Sequence, residues 1–279
     1  MLKIAVIGDP IEHSLSPKVH GAALDFLGVE YEYEKVRVQR GGLSEYIDYA
    51  LKNGTEGFNL TMPHKVDILP FLEDIDDEAK AFSSVNTVCI RDGKLYGYNT
   101  DAIGYRLSLE KCGYKFCGSR VVILGAGGVV RTLALAAAMD GAESITVLNR
   151  TKEKAEYIIN SISGICKNAT AAGFSFEEIK KYSETADILI NATPLGMSGC
   201  DGQFEDLSFL DCVPTDALVS DLIYNPPLTE FLKKAKENGN KILNGLGMLI
   251  YQALAADEYY LGRKIDIHSV YDAVEAAMK

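Results

Sequence analysis

Val121-Val122-Ile123-Leu124-Gly125-Ala126-Gly127-Gly128 decides the fold of this chain. Four apolar residues of strand type run straight into a glycine-rich turn, and a helical pattern follows, so the glycines stand where a strand becomes a helix N-terminus. Glycine lets the backbone turn tightly and approach a pyrophosphate, whose charge is stabilised by free N–H groups and the helix dipole. Glycines alone also make a plain βα turn. The flanking strand and helix make dinucleotide binding the stronger reading. Val121 to Met139 is nearly apolar and almost long enough to span a bilayer, but Arg131 and the glycine turn interrupt it.

Outward from this turn, strands are expected near Ile145, Ile188 and Leu218, with helices after the first two, the pattern of a doubly wound Rossmann-type half. The strand Ser144 to Leu148 ends in Asn149-Arg150-Thr151, about 25 residues past the first glycine, where NAD enzymes place an acid on the ribose diol. No acid is present. Arg150 suits a 2′-phosphate, with Asn149 and Thr151 donating beside it and Lys154 adding charge, so NADP is favoured over NAD. The plain alternative for Arg150 is a solvated surface cation. Pro226-Pro227 is expected to open a helix through Glu237, Lys241 to Leu243 to form a last strand, and Met248 to Leu261 an amphipathic stretch. The C-terminal helices are expected to return to a first domain.

That first domain reads as α/β as well. Strands are expected at Leu2 to Ile7, Tyr31 to Val38, Gly57 to Leu60 and Thr87 to Arg91. Pro17 suits the first turn of a helix to Leu27, Ser44 suits a second helix cap, and Asp92-Gly93 suits a hairpin. A helix is expected over Asp101 to Lys111. Polar strings fall at the strand ends and turns: His13-Ser14-Leu15-Ser16, Asn59-Leu60-Thr61-Met62-Pro63-His64-Lys65, Val85-Asn86-Thr87 and Asn99-Thr100-Asp101. Such hydroxyls and amides suit a small hydroxylated or carboxylated ligand, although each string alone could cap a helix or shape a turn.

At 279 residues the chain exceeds the usual size of one core, which predicts two domains. The formal charge of −11 argues against a nucleic-acid surface. The six cysteines form no C-x-x-C pair and have no histidine at ligand spacing, which excludes a metal or disulfide framework as a reading. The opening apolar run is too short for a signal h-region, and free thiols then favour the cytoplasm. No membrane association is expected.

Together the strings resemble the shikimate dehydrogenase family, which includes quinate dehydrogenases, over essentially the whole length. Gly8-Asp9-Pro10-Ile11-Glu12-His13-Ser14-Leu15-Ser16-Pro17 resembles its opening motif, Asn59 to Lys65 its N-x-T-x-P-x-K, Asn86-Thr87 its V-N-T, and Gly97 to Asp101 its G-x-N-T-D. Asn191-Ala192-Thr193, Asp221 to Pro226 and Gly245 to Gln252 resemble its later motifs. The resemblance implies a substrate domain of residues 1–101 completed by 247–279, and an NADP domain of residues 102–246. It implies NADP-dependent, reversible reduction of 3-dehydroshikimate to shikimate in chorismate and aromatic amino acid biosynthesis, by a monomer or homodimer.

The resemblance also assigns roles. Lys65 and Asp101 are implied as the acid-base pair, and Ser14, Ser16, Asn59, Thr61, Asn86, Tyr224 and Gln252 as substrate residues. Asp77, Gly125 to Val129 (Gly127 and Gly128 included, with Ala126), Asn149 to Thr151, Lys154, Thr193, Leu222 and Gly245 are implied for the cofactor. Ser83-Ser84 replace a common Gly-Ala, Gly21 replaces Asn, and Ala102 replaces Gly. Val129-Val130 replace small residues, and two β-branched side chains there are expected to narrow the pyrophosphate approach. Two other readings stay open: a quinate or dual quinate/shikimate dehydrogenase, and a non-catalytic NADP- or metabolite-binding regulator.

Overall fold

A computed structural model describes residues 1–278. The chain divides into two compact units, residues 1–104 with 250 onward, and residues 105–249. Both boundaries fall inside helices, where composition carries no linker signal.

The first unit is built on a mixed six-stranded sheet. Its strands are β1 (Leu2–Gly8), β2 (Tyr31–Arg37), β3 (Gly57–Leu60), β4 (Asp74–Ile75), β5 (Thr87–Arg91) and β6 (Lys94–Tyr98), in the order β2-β1-β3-β5-β6-β4. β1 runs parallel to β2 and β3, whereas β5 is antiparallel to β3 and β6. The β5–β6 hairpin turns at Asp92 and Gly93, whose φ of 52° and 73° are those of a tight mirror-image turn. Strand β4 escaped sequence reading because two residues carry no alternation.

Helices α1 (Ser16–Phe26), α2 (Leu43–Lys52), α3 (His64–Asp67) and α4 (Asp77–Phe82) fill the connections. Pro17 does sit in the first turn of α1. Ser44 is not a cap: α2 starts one residue earlier, and Gly42 stands at its N-cap without a side-chain bond. Ser83 ends α4 with a φ of 49°, a left-handed conformation that a glycine would adopt without strain. Helix α5 (Asp101–Lys111) leads into the second unit. The C-terminal α11 (Ile267–Met278) packs against α1 in the first unit, as expected of the returning helices.

The second unit holds a fully parallel sheet of β7 (Arg120–Leu124), β8 (Ser144–Leu148), β9 (Ala169–Ala172), β10 (Ile188–Asn191), β11 (Leu218–Asp221) and β12 (Lys241–Leu243). Its order, β12-β11-β10-β7-β8-β9, reverses between β7 and β10, the dinucleotide-binding arrangement. Helices α6 (Gly128–Met139), α7 (Lys152–Ile162), α8 (Phe176–Ser183) and α9 (Glu230–Glu237) pack on it. α6 buries nearly its whole length, which explains the apolar run. Pro226-Pro227 does not open α9; the helix begins at Glu230, where the Thr229 side chain accepts from Leu232 N–H. β9 was missed because Ala-Thr-Ala-Ala has no strand signature. Helix α10 (Leu246–Leu261) carries the chain back to the first unit. No helix among the described residues is long and apolar enough to cross a membrane.

Candidate active site

In the first unit, β3 ends at Leu60 and the backbone then turns into α3, which sets Lys65 beside the start of α5. Lys65 Nζ donates to Asp101 Oδ2 at 2.6 Å. Asp101 is buried, and the Asn99 carboxamide oxygen accepts from its backbone N–H at 3.0 Å. Asn86 occupies the centre. Its Nδ2 donates to Asp101 Oδ1 at 3.0 Å, to Thr100 Oγ1 at 2.9 Å and to Gln252 Oε1 at 3.4 Å, while its Oδ1 accepts from Thr100 N–H at 2.8 Å. Both oxygens of Asp101 are therefore held, one by a cation and one by an amide. A carboxylate fixed in this way points Lys65 rather than wandering with it.

Of the remaining substrate candidates of this unit, Asn59 lies on the same polar line. Asn59 Nδ2 donates to Thr87 Oγ1 at 3.2 Å, and Thr87 Oγ1 donates to Asn86 Oδ1 at 3.0 Å. Ser14 Oγ donates to Ser16 Oγ at 3.2 Å in the turn before α1. Thr61 follows β3 directly, with its N–H bonded to Ile7 O at 3.0 Å. Buried polar side chains without such partners would each cost about 1–3 kcal/mol, so the network specifies one arrangement.

The second unit presents a cavity of about 690 Å³ at the carboxyl ends of β7, β8 and β10. Gly125, Ala126, Gly127, Asn149, Arg150, Thr151, Lys154 and Thr193 all line it. Gly125 has a φ of 111°, and a Cβ there would meet Ala192 O at 2.9 Å, so the fold itself demands glycine. At Gly127 and Gly128 a Cβ would meet no protein atom within 4 Å. Bare backbone open to solvent at a helix N-terminus fits a pyrophosphate. The residues present therefore fit a dinucleotide, with Arg150 and Lys154 exposed for an added phosphate.

The cavity is also lined by residues that sequence reading missed: Phe174, Phe176 and Phe204, and the acidic Glu177, Glu205 and Asp206. The first two phenylalanines and Glu177 follow the unrecognised β9. Gly128 and Val129 do not line the cavity, and Val130 is fully buried, so the expected crowding by two valines is corrected: Val130 packs into the core. Asp77 stands in the first unit at the start of α4, fully exposed and paired with Lys80 at 3.8 Å.

Leu222 and Gly245 are brought together. A Cβ on Gly245 would overlap the Leu222 carbonyl, and Gly245 N–H bonds Ile223 O at 3.0 Å. Tyr224 follows in the same loop, partly buried, and burial raises its phenol above the usual range. Asp221 braces this loop against the one after β10. Its Oδ1 accepts from Asn191 Nδ2 at 3.1 Å and Ile223 N–H at 3.0 Å, and its Oδ2 from Thr229 Oγ1 at 2.7 Å. Asn191 Oδ1 in turn accepts from Thr193 Oγ1 at 2.7 Å.

Burial pushes the Asp221 carboxyl up from 3.8 to about 6, against the three hydrogen bonds that lower it. The folded protein thus holds this proton more tightly than the unfolded chain does. Stability from this group is greatest below pH 4 and falls as pH rises through about 6, by on the order of 2–3 kcal/mol. Asp221→Asn removes that dependence. The difference in unfolding free energy between variant and wild type is expected to shift in the variant's favour by this amount between pH 4 and 7.5. Denaturant melts at both pH values measure it, and a constant difference would refute it.

Family models agree with the two units. That of the shikimate dehydrogenase substrate-binding domain matches residues 6–88, and that of shikimate/quinate 5-dehydrogenase matches residues 107–195. The chain is 40% identical over 270 residues to a shikimate dehydrogenase (NADP(+)) of Alkaliphilus metalliredigens, covering 96% of this chain and 94% of the relative. The shikimate 5-dehydrogenase of Thermus thermophilus, solved with NADP(H) and shikimate, is 32% identical with a TM-score of 0.85, covering 99% and 100% of the two chains. A ligand-free 5-ketofructose reductase of Gluconobacter is 35% identical with a TM-score of 0.85, covering 99% and 98%. With these matches spanning both units, the chain belongs to the shikimate dehydrogenase family.

Proposed function

We propose that this chain is an NADP-dependent oxidoreductase that reduces 3-dehydroshikimate reversibly to shikimate, within chorismate and aromatic amino acid biosynthesis. The observation that carries the reading is the Lys65–Asp101 pair at 2.6 Å, with Asn86 on the second carboxylate oxygen. Bound NADPH would supply the hydride. Reduction of a ring carbonyl leaves negative charge on its oxygen, which needs a proton. Lys65 as ammonium polarises that oxygen and delivers the proton, while Asp101 holds the lysine in place and balances its charge. In the oxidative direction the same pair removes the hydroxyl proton.

Ser14 and Ser16 offer hydroxyls to the substrate carboxylate, and Asn59, Thr61, Asn86 and Gln252 surround its ring hydroxyls, with Tyr224 facing the substrate. Gly125 to Gly127 take the pyrophosphate, Arg150, Asn149, Thr151 and Lys154 the 2′-phosphate side, and Thr193, Leu222 and Gly245 the nicotinamide side. The chain works in the cytoplasm as a monomer or homodimer, a setting that six free cysteines favour.

The test follows reduced-cofactor absorbance with shikimate or quinate and NADP or NAD. Shikimate with NADP is expected to give the highest kcat/KM. Faster turnover of quinate, or of NAD, would replace the substrate or cofactor assignment, and no turnover with any pair would point to a regulator.

A further inference from the structure

Strand β2 is an edge strand, and alternate residues along it meet the turn that carries the two serines. Arg37 Nε donates to Asp9 Oδ1 at 2.7 Å, and Lys35 Nζ donates to Glu12 O at 3.0 Å. Tyr33, two residues earlier on the same face, reaches further in. Its hydroxyl donates to Asn59 Oδ1 at 2.8 Å. The donors then run one way: Tyr33 to Asn59, Asn59 to Thr87, Thr87 to Asn86, and Asn86 to Asp101, where Lys65 arrives from the other side. Every other member belongs to a recognisable sequence string; Tyr33 does not.

Tyr33 is itself held from behind. The His20 imidazole stacks on its ring at 4.9 Å with planes 28° apart, and His20 Nδ1 meets Asp257 Oδ1 at 2.6 Å, both side chains fully buried. Asp257 lies on α10 and His20 on α1, so two helices fix the ring from one side while β2 fixes its backbone. Burial and the Asp257 charge raise the Tyr33 phenol, which keeps it a proton donor across the working pH range.

We infer that Tyr33 is a positioning residue that orients the Asn59 carboxamide within the network running to Asn86 and Asp101, so that Asn59 meets the substrate in one fixed orientation. This rests on the proposed shikimate reaction. Because Tyr33 touches neither Lys65 nor Asp101, its loss weakens substrate binding rather than proton transfer, and the acid-base pair stays formed.

Tyr33→Phe deletes the hydroxyl and keeps the ring stack on His20. It is expected to raise the KM for shikimate about tenfold, the worth of one or two hydrogen bonds in a buried network. The kcat stays within threefold of wild type, and the KM for NADP is unchanged. A merely structural role would move kcat and both KM values together with the melting temperature; that pattern, or an unchanged shikimate KM, overturns the inference. His20→Gln, which removes the stacked ring but not the hydroxyl, is expected to raise the same KM by a smaller factor, and a kcat effect alone would count against it. Wild-type turnover is measured first: its absence defeats the proposed reaction itself, whereas an active wild type with an unaffected Tyr33→Phe defeats only the role of Tyr33.

Discussion

Lys65→Ala is expected to lower kcat by about 10²- to 10⁴-fold in both directions, the usual worth of a positioned acid-base group. The fold should survive. The Lys65 side chain is 28% exposed and that of Asp101 9%, so the pair lies at the edge of the protein interior and its loss costs far less than that of a sealed ion pair. Asp101 also keeps the Asn86 amide on Oδ1, so its carboxylate is not stranded. The expected signature is a collapsed kcat with the KM for NADP within threefold of wild type and a melting temperature shifted by only a few degrees. Steady-state rates and a thermal melt decide it. A kcat within tenfold of wild type would remove Lys65 from the chemistry.

The legibility of this chain differs between its two halves for physical reasons. The glycine turn could be read because strand, turn and helix are consecutive in sequence, and Gly125 is demanded by backbone geometry. Arg150 could be read because the next strand ends a fixed distance further on, beside the first. The acid-base pair is different: 36 residues separate Lys65 from Asp101, and only the sheet order places the end of β3 near that of β6. No periodicity announces such a contact, so motif resemblance supplied it.

What stayed hidden lay on elements with no pattern of their own. β9 is Ala-Thr-Ala-Ala, four small residues with no strand alternation, and missing it hid Phe174, Phe176 and Glu177 beyond it. Asp221 was visible as part of a string, but its role as a brace depends on Asn191 and Thr229, which lie thirty residues before it and eight after it. Tyr33 lies on a half-exposed edge strand whose alternation is the pattern any such strand shows. Turn and cap chemistry misled at Ser44 and Pro226-Pro227, where a neighbouring residue, Gly42 or Thr229, took the capping position.

Arg150→Ala is expected to raise the KM for NADP by about 10- to 100-fold while changing that for NAD by less than threefold. A charge-assisted hydrogen bond to phosphate contributes about 1.5–3 kcal/mol, and only NADP carries the phosphate that would receive it. The cavity's own charges enlarge the difference. Glu177, Glu205 and Asp206 line the same cavity as Arg150 and Lys154, so three acidic residues share it with two basic ones. Removing one cation leaves a surplus of negative charge where a dianion must bind, and repulsion adds to the lost hydrogen bonds. Because Arg150 is exposed, added salt screens that repulsion, and the NADP/NAD discrimination lost in the variant should depend more steeply on ionic strength than in wild type. Equal changes in both KM values would show that Arg150 acts on the common part of the two cofactors. A change confined to NADP but insensitive to salt would assign the effect to hydrogen bonding alone and leave the three carboxylates without a part in cofactor choice.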